Sequence, residues 1–432
     1  MAGSPSPPAT GGRQPILPPV SQAAAALEPW AWQRAGALLV PPGPACAAVS
    51  APWTHQRQRV LEDALAADPS GAPAWSAALA LLLAPGDGAL RKLADQRRHQ
   101  WVGDTVTYVV NRNLNVSNHC LKHCSFCAFR RDPDQAGAYW HGLDDLQRRA
   151  AEAAAAGATE LCVQSGLNPA ARRDGSALAY ATGLLQALRE AAPGLHLHAF
   201  SPQELLFIAE MDQLPLQAVL DGLIAAGLGS VPGTAAEVLT DRVRQRLCPE
   251  KLSARQWCAV ILQVHCSGLA STATLLAGHL EDPGDRAAHL LTLVALQQWA
   301  WQHGWRGFSE FVLLPFIGAA APAALRQKVG RDQPDRQAML TLTAQARLLL
   351  GPWFVNHQPS WVKLTLAGAT EALGWGCNDL GGTLMEETIT RMAGAEGGSS
   401  QSPAALEAAA VGVGRPVRRR TTLYGPVIPC AA

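Results

Sequence analysis

The stretch Asn111-Arg-Asn-Leu-Asn-Val-Ser-Asn-His-Cys120-Leu-Lys-His-Cys124-Ser-Phe-Cys127-Ala-Phe-Arg-Arg131 sets three cysteines within eight residues, directly after the apolar run Val106 to Asn111. Cysteine thiolates hold iron-sulfur clusters, and a four-iron cube needs four of them if protein is to occupy every iron. No fourth cysteine lies close to Cys120, Cys124 and Cys127. The x3 then x2 spacing therefore predicts a 4Fe-4S cluster with one iron open, the kind of vacancy a catalytic metal site keeps and a structural one closes. The alternative is a structural zinc site that joins the Cys124 and Cys127 pair to Cys120 and either His119 or His123. In that reading the chain is a zinc-stabilised binding module with a helical adaptor. The other cysteines, Cys162 and Cys377 among them, read as small buried hydrophobes.

An amino acid chelates an open iron through its amine and carboxylate, and S-adenosylmethionine carries that chelate beside its sulfonium. Reduction then releases a 5′-deoxyadenosyl radical, chemistry that belongs to the cofactor while the protein aims it.

Outward from this stretch, short runs rich in β-branched and aromatic residues alternate with Ala- and Leu-rich helical stretches, the pattern of repeated βα units. Eight strands are predicted: Val106 to Asn111, Leu161 to Gly166, Leu195 to Phe200, Leu228 to Pro232, Thr272 to Gly278, Glu310 to Phe316, Trp361 to Leu366 and Asn378 to Gly382. Eight alternations over about 290 residues fit an α/β (β/α)8 TIM-type barrel, usually about 250 long, in which catalytic groups sit on the βα loops. The cysteine stretch is the first such loop. An incomplete barrel or a doubly wound sheet is the alternative, because the fourth and eighth strands are weak.

Residues 1–50 mix Pro, Gly, Ser and Ala without periodicity and are expected to form a disordered leader. Residues 51–100 form an expected helical prelude, an N-terminal extension with helices over His55 to Ala67 and Ala74 to Leu83. The barrel is expected over 101–393, with 394–432 as linker and a C-terminal tail packing on it. Charged residues are only 16% of the 432, and 35 Lys and Arg against 34 Asp and Glu advertise neither nucleic acid nor an anionic membrane as partner. Arg418 to Arg420 is a short basic run that reads as a solvated tail. No apolar run reaches the length of a membrane span, and the start lacks a secretory pattern. The expectation is a soluble cytoplasmic protein, with a transit peptide as the open alternative.

The cysteine spacing with Phe126 before the last cysteine resembles the radical S-adenosylmethionine superfamily. Further phrases are Tyr108-Val-Val-Asn-Arg-Asn113, His198-Ala-Phe-Ser-Pro-Gln-Glu204, Pro232-Gly-Thr-Ala-Ala-Glu237, Gly278-His-Leu-Glu281, Glu310-Phe-Val-Leu-Leu-Pro-Phe316, Asn378-Asp-Leu-Gly-Gly-Thr-Leu-Met-Glu-Glu387 and Thr421-Thr-Leu-Tyr-Gly425. From about Trp101 to Gly425 they resemble the CofH family, the second subunit of 7,8-didemethyl-8-hydroxy-5-deazariboflavin synthase. The resemblance implies a transferase that joins the 4-hydroxybenzyl group of L-tyrosine to 5-amino-6-(D-ribitylamino)uracil and leaves 2-iminoacetate. It also implies a partner subunit, CofG, which closes the deazaflavin ring of the coenzyme F420 precursor, and an external one-electron donor. The alternative within the group is the aminofutalosine synthase or the cyclase of the futalosine route to menaquinone. Gln164-Ser165-Gly166 departs from a Gln-Gly-Gly pattern, and Ser165 would crowd the methionyl end of the cofactor.

Polar residues at strand ends supply the other candidates. Phe126, Gln164, Ser165, His198, Glu237, His279 and Glu281 are expected around S-adenosylmethionine, and Glu204, Asn378 and Asp379 around the two substrates. Each has a plainer reading as well: a satisfied core histidine for His198, a helix cap for Glu237, a solvated turn for His279 and Glu281.

Overall fold

The computed structural model describes residues 81–427 together with Ala78. The expected leader and the helix over His55 to Ala67 lie outside the described residues, as does most of the one ending at Leu83. Strands β1 (Val106–Val109) and β2 (Asn111–Asn115) are two halves of one strand, broken only at Val110. From β2 a parallel sheet runs through β3 (Glu160–Gln164), β4 (His196–Ala199), β5 (Leu228–Val231), β6 (Ala270–Ala277), β7 (Phe308–Pro315) and β8 (His357–Pro359), each paired with the next. A second parallel sheet sets β1 between β9 (Asp379–Gly382) and β10 (Val417–Arg419). The Asn378 N–H donates to the His357 carbonyl at 3.2 Å and brings β9 up to β8, so the strand positions run round a curled α/β barrel.

The helices are α1 (Gly88–Val102), α2 (Leu143–Ala155), α3 (Ala177–Ala191), α4 (Pro202–Asp212), α5 (Leu216–Ala226), α6 (Asp241–Leu247), α7 (Ala254–Cys266), α8 (Pro283–Gln302), α9 (Ala323–Val329), α10 (Arg336–Leu350), α11 (Trp361–Ala372), α12 (Ile389–Met392) and α13 (Pro403–Gly412). Local sequence starts several of them. Ser201 with Glu204, Ser253 with Gln256, and Asp282 with Asp285 form capping boxes at α4, α7 and α8, each satisfying backbone N–H groups on both sides of the cap. Pro202 and Pro283 take first-turn positions where no intrahelical N–H is required. Strands such as Phe308–Pro315 are apolar almost throughout, because a parallel strand is covered by helices on one face and barrel interior on the other.

Two expectations change. The seventh strand is expected at Trp361 to Leu366, but that run opens α11, and the strand is the three-residue His357–Pro359 just before it. A short apolar run does not by its period distinguish strand from buried helix. Tertiary packing decides here: Trp361 is buried, and its indole N–H donates to the Gly382 carbonyl at 2.9 Å. The basic run Arg418 to Arg420 is not a solvated tail. Val417–Arg419 pairs with β1, and Arg420 is only 2% exposed.

Two core histidines tie stability to pH. His265 bonds the Ser271 hydroxyl at 2.8 Å, and His289 accepts from the Leu239 N–H at 3.1 Å. Burial pushes both down to about 3. Between about pH 3 and the unfolded-chain value near 6.5, the unfolded state binds protons that the native state refuses, so stability rises with pH across that window. Melting followed by circular dichroism should show the transition temperature climbing from pH 4.5 to 6.5. The slope should be shallower in His265→Asn, and an unchanged slope would contradict the assignment.

Candidate active site

β2 delivers the chain directly into the cysteine loop, and a set of backbone bonds pins that loop. Cys120 N–H donates to the Arg131 carbonyl at 3.2 Å, Arg131 N–H to Asn118 at 2.8 Å, and Leu121 N–H to Leu167 at 3.1 Å. Ser125 donates to the Leu247 carbonyl through both its N–H, at 3.0 Å, and its hydroxyl, at 2.9 Å, tying the loop to the end of α6. Gly166 presses against the loop from the end of β3. A Cβ there would stand 2.2 Å from the His119 carbonyl oxygen, so a side chain is excluded at this crossing.

Cys120, Cys124 and Cys127 carry free thiols, half-buried at one end of a cavity of about 420 Å3. Burial pushes the Cys124 thiol up to about 12 against the pull of Lys251. A metal that binds the thiolate reverses that preference. Among the described residues no three His, Cys, Asp or Glu side chains converge as the ligands of a single ion do. Three cysteine donors carried by one loop beside the cavity are the kind of set that would hold an iron-sulfur cluster. His123 is engaged elsewhere, beside the Arg130 guanidinium at 2.7 Å.

Phe126, Gln164, Ser165, His198, Glu204 and Glu237 line the same cavity. Lys251 Nζ lies 5.3 Å from the Phe126 ring centroid and donates to Glu237 Oε1 at 2.7 Å. Burial would raise the Glu237 carboxyl, but Lys251 outweighs it and holds the group low. Glu204 works in two directions: Oε2 accepts from Ser201 within the cap of α4, and Oε1 accepts from the Ser165 N–H at 2.9 Å. It thereby sets the loop at the end of β3. The Ser165 hydroxyl turns to the Ser117 carbonyl at 3.4 Å. His198 bonds the Ser230 hydroxyl at 2.7 Å, and burial lowers it to about 4 against Glu160.

Four candidates stand outside the lining. His279 Nε2 bonds the Leu276 carbonyl at 3.0 Å, and Glu281 takes the Gly278 N–H at 2.6 Å and Arg286 at 2.8 Å. Both side chains close the turn after β6, sealed in protein rather than solvated. Asn378 Oδ1 accepts from Arg347 at 2.7 Å and from the His357 N–H at 2.9 Å. Asp379 accepts from Thr107, Gly381 and, through both oxygens, Arg420. Their polar groups are taken up by the barrel, and Asp379 reaches the cavity through Arg420, which does line it.

Several lining residues were not anticipated: Asn111, Glu160, Lys251, Glu310, Lys363 and Arg420. Glu310 had a signal, a lone carboxylate at the head of an otherwise apolar strand, where an ionisable group needs a partner. Arg420 Nη2 stands 3.2 Å from Glu310 Oε2, and the Tyr424 hydroxyl donates to that same oxygen. Burial raises Glu310 to about 7 in spite of Arg420.

Residues 114–293 match the family model described as the Radical SAM superfamily. A Cyanothece protein is 55% identical over 337 residues, covering 78% of this chain and 88% of its own. A Synechococcus elongatus protein is 54% identical over 368 residues, covering 84% and 95%. Both are named 5-amino-6-(D-ribitylamino)uracil–L-tyrosine 4-hydroxyphenyl transferase. This chain belongs to that transferase family. Methylornithine synthase shares its fold with a TM-score of 0.63 at 15% identity, covering 84% of this chain and 97% of the synthase. The relatives carry the transferase name and not a futalosine-route one, and the zinc-module reading does not fit a member of a radical transferase family.

Alanine in place of any one of Cys120, Cys124 or Cys127 should lower iron per chain in the anaerobically reconstituted protein and abolish cleavage of S-adenosylmethionine. Cys258→Ala, in the buried core of α7, should keep both. Equal loss of iron from that control would break the ligand assignment, and a colourless preparation with one zinc per chain would break the cluster itself.

Proposed function

We propose that this chain joins the 4-hydroxybenzyl group of L-tyrosine to 5-amino-6-(D-ribitylamino)uracil, the precursor step of a deazaflavin. The observation that carries the reading is the identity above one half over most of both chains to transferases of that name. Cys120, Cys124 and Cys127 would hold a 4Fe-4S cluster, and Gln164 and Ser165, which line the same cavity, would help to hold S-adenosylmethionine. Together those groups supply a 5′-deoxyadenosyl radical when the cluster is reduced. The electron comes from an external one-electron donor, and the coupled product passes to a CofG partner in the cytoplasm.

The residues of the chain bind, orient and exclude water. Glu204 holds the Ser165 N–H and so sets the strand end that would meet the cofactor. Phe126 and the Lys251–Glu237 pair wall the cavity beside Cys124, keeping the charges there matched. His198 is neutral at physiological pH and offers a hydrogen-bonding face rather than a charge. Asn378 and Asp379 act as positioning residues, the first on Arg347 and the second on Arg420. His279 and Glu281 act on the cofactor only through the loop they close. A cavity enclosed this way limits the side reactions of a radical formed next to an absent acceptor.

The test is anaerobic incubation of the reconstituted protein with S-adenosylmethionine, a reductant, L-tyrosine and the diaminouracil, with products identified by mass. Tyrosine consumption should depend on the diaminouracil, and a product carrying the hydroxybenzyl group on the uracil should appear. Coupling of a futalosine-route substrate with the diaminouracil ignored would reject the transferase reading and leave the radical one standing.

A further inference from the structure

The cavity has a second polar end, formed where the C-terminal segment plugs the barrel. Glu310 stands near the start of β7, and Asp379 starts β9, so both lie toward the N-terminal ends of the strands and away from the cysteine loop. β10 runs beside the start of β1, and Arg420 enters the barrel there, its N–H bonded to the Tyr108 carbonyl at 2.8 Å. The plug fixes one oxygen of Glu310: Oε2 accepts from Arg420 and Tyr424. The hydrogen bonds of Glu310 go to Oε2, and the residue lines the cavity.

The charges around Glu310 select what it takes. Arg420 is the cation facing the carboxylates of Glu310 and Asp379, with Glu160 close by, and Asp379 already takes it through two oxygens. Arg420 Nη1 turns to its neighbour's carbonyl, Thr421, at 3.3 Å. This end is therefore rich in acceptors and hostile to an anion. The other lining cations stand elsewhere: Lys122 and Arg130 on the cysteine loop, Lys251 beside its Phe126, and Lys363 in the first turn of α11, after the C-terminal end of β8. A ligand part bearing N–H and O–H groups suits the plugged end, and an amino-acid carboxylate does not.

We propose that Glu310, with Oε2 fixed by Arg420 and Tyr424, is the specificity-determining acceptor that takes the N–H and O–H donors of the diaminouracil through Oε1. This rests on the transferase reading above. In its ionised form Glu310 gains at Oε1 from a donor offered to it, and such a donor favours the ionised form over the protonated one that burial promotes; a site built to accept donors discriminates strongly because an unmatched ligand leaves its polar group unpaired.

Glu310→Gln tests the proposal with almost no change of shape. Arg420 and Tyr424 both donate to the fixed position, so the amide oxygen stays there and the NH2 replaces Oε1, turning an acceptor into a donor. Equilibrium dialysis of the reconstituted protein should show diaminouracil binding weakened about tenfold or more, with KM for tyrosine and S-adenosylmethionine and the iron content near wild type. Tyr424→Phe keeps the carboxylate but loosens it, and should weaken diaminouracil binding to a smaller degree. It stands in should Glu310→Gln fail to fold. Unchanged diaminouracil binding in the variants, or a rise confined to the tyrosine KM, overturns the role of Glu310 while wild-type coupling upholds the transferase. Wild-type protein that neither binds nor couples the diaminouracil overturns both.

Discussion

A carboxylate inside a protein must be paired, hydrogen-bonded or neutralised, and among the buried ones here Glu160, Glu310 and Asp379 gather round a single arginine. Much of the architecture answers that demand. Asn111 donates to Glu160 at 2.8 Å, and Arg420 is brought from the far end of the chain to serve Glu310 and Asp379. Without a segment that returns to the start of β1, these groups would face one another with no cation between them. β10 is thus more than an ornament on the sheet: its pairing with β1 aims Arg420 into the interior.

A buried ion pair is weak evidence for stability, because desolvating both ions consumes most of their attraction. Its value here lies in geometry. Asp379 grips Arg420 through two oxygens, and the Arg420 guanidinium stacks 4.0 Å from the Tyr424 ring centroid, so the plug has one orientation. A single orientation at the closed end leaves one defined oxygen of Glu310 for a ligand.

The opposite end obeys a different constraint. Three thiols must stay available to metal while the backbone that carries them stays still, and the loop achieves this by bonding its main chain to β3, α6 and itself. Glu204 shows how capping and site-building merge. The carboxylate that starts α4 also holds the Ser165 N–H, so the helix cannot shift without moving the strand end that faces the cysteines.

The sequence by itself determined the cysteine spacing, the βα alternation and the family, because motif spacing and local periodicity are properties of neighbouring residues. The helix cap weighed for Glu237 is made instead by Glu204 of Ser201-Pro-Gln-Glu204, while Glu237 pairs with Lys251. Only the tertiary structure decided that Trp361 to Leu366 opens a helix, since the indole of Trp361 finds its partner at Gly382 on another strand. It alone decided that Asn378 and Asp379 serve the barrel wall, that His279 and Glu281 close a turn, and that Arg420 is buried. Each of those outcomes depends on partners distant in the chain, such as Arg347 for Asn378 and Glu310 for Arg420, and no local pattern encodes a pairing that exists only once the barrel has brought its two ends together.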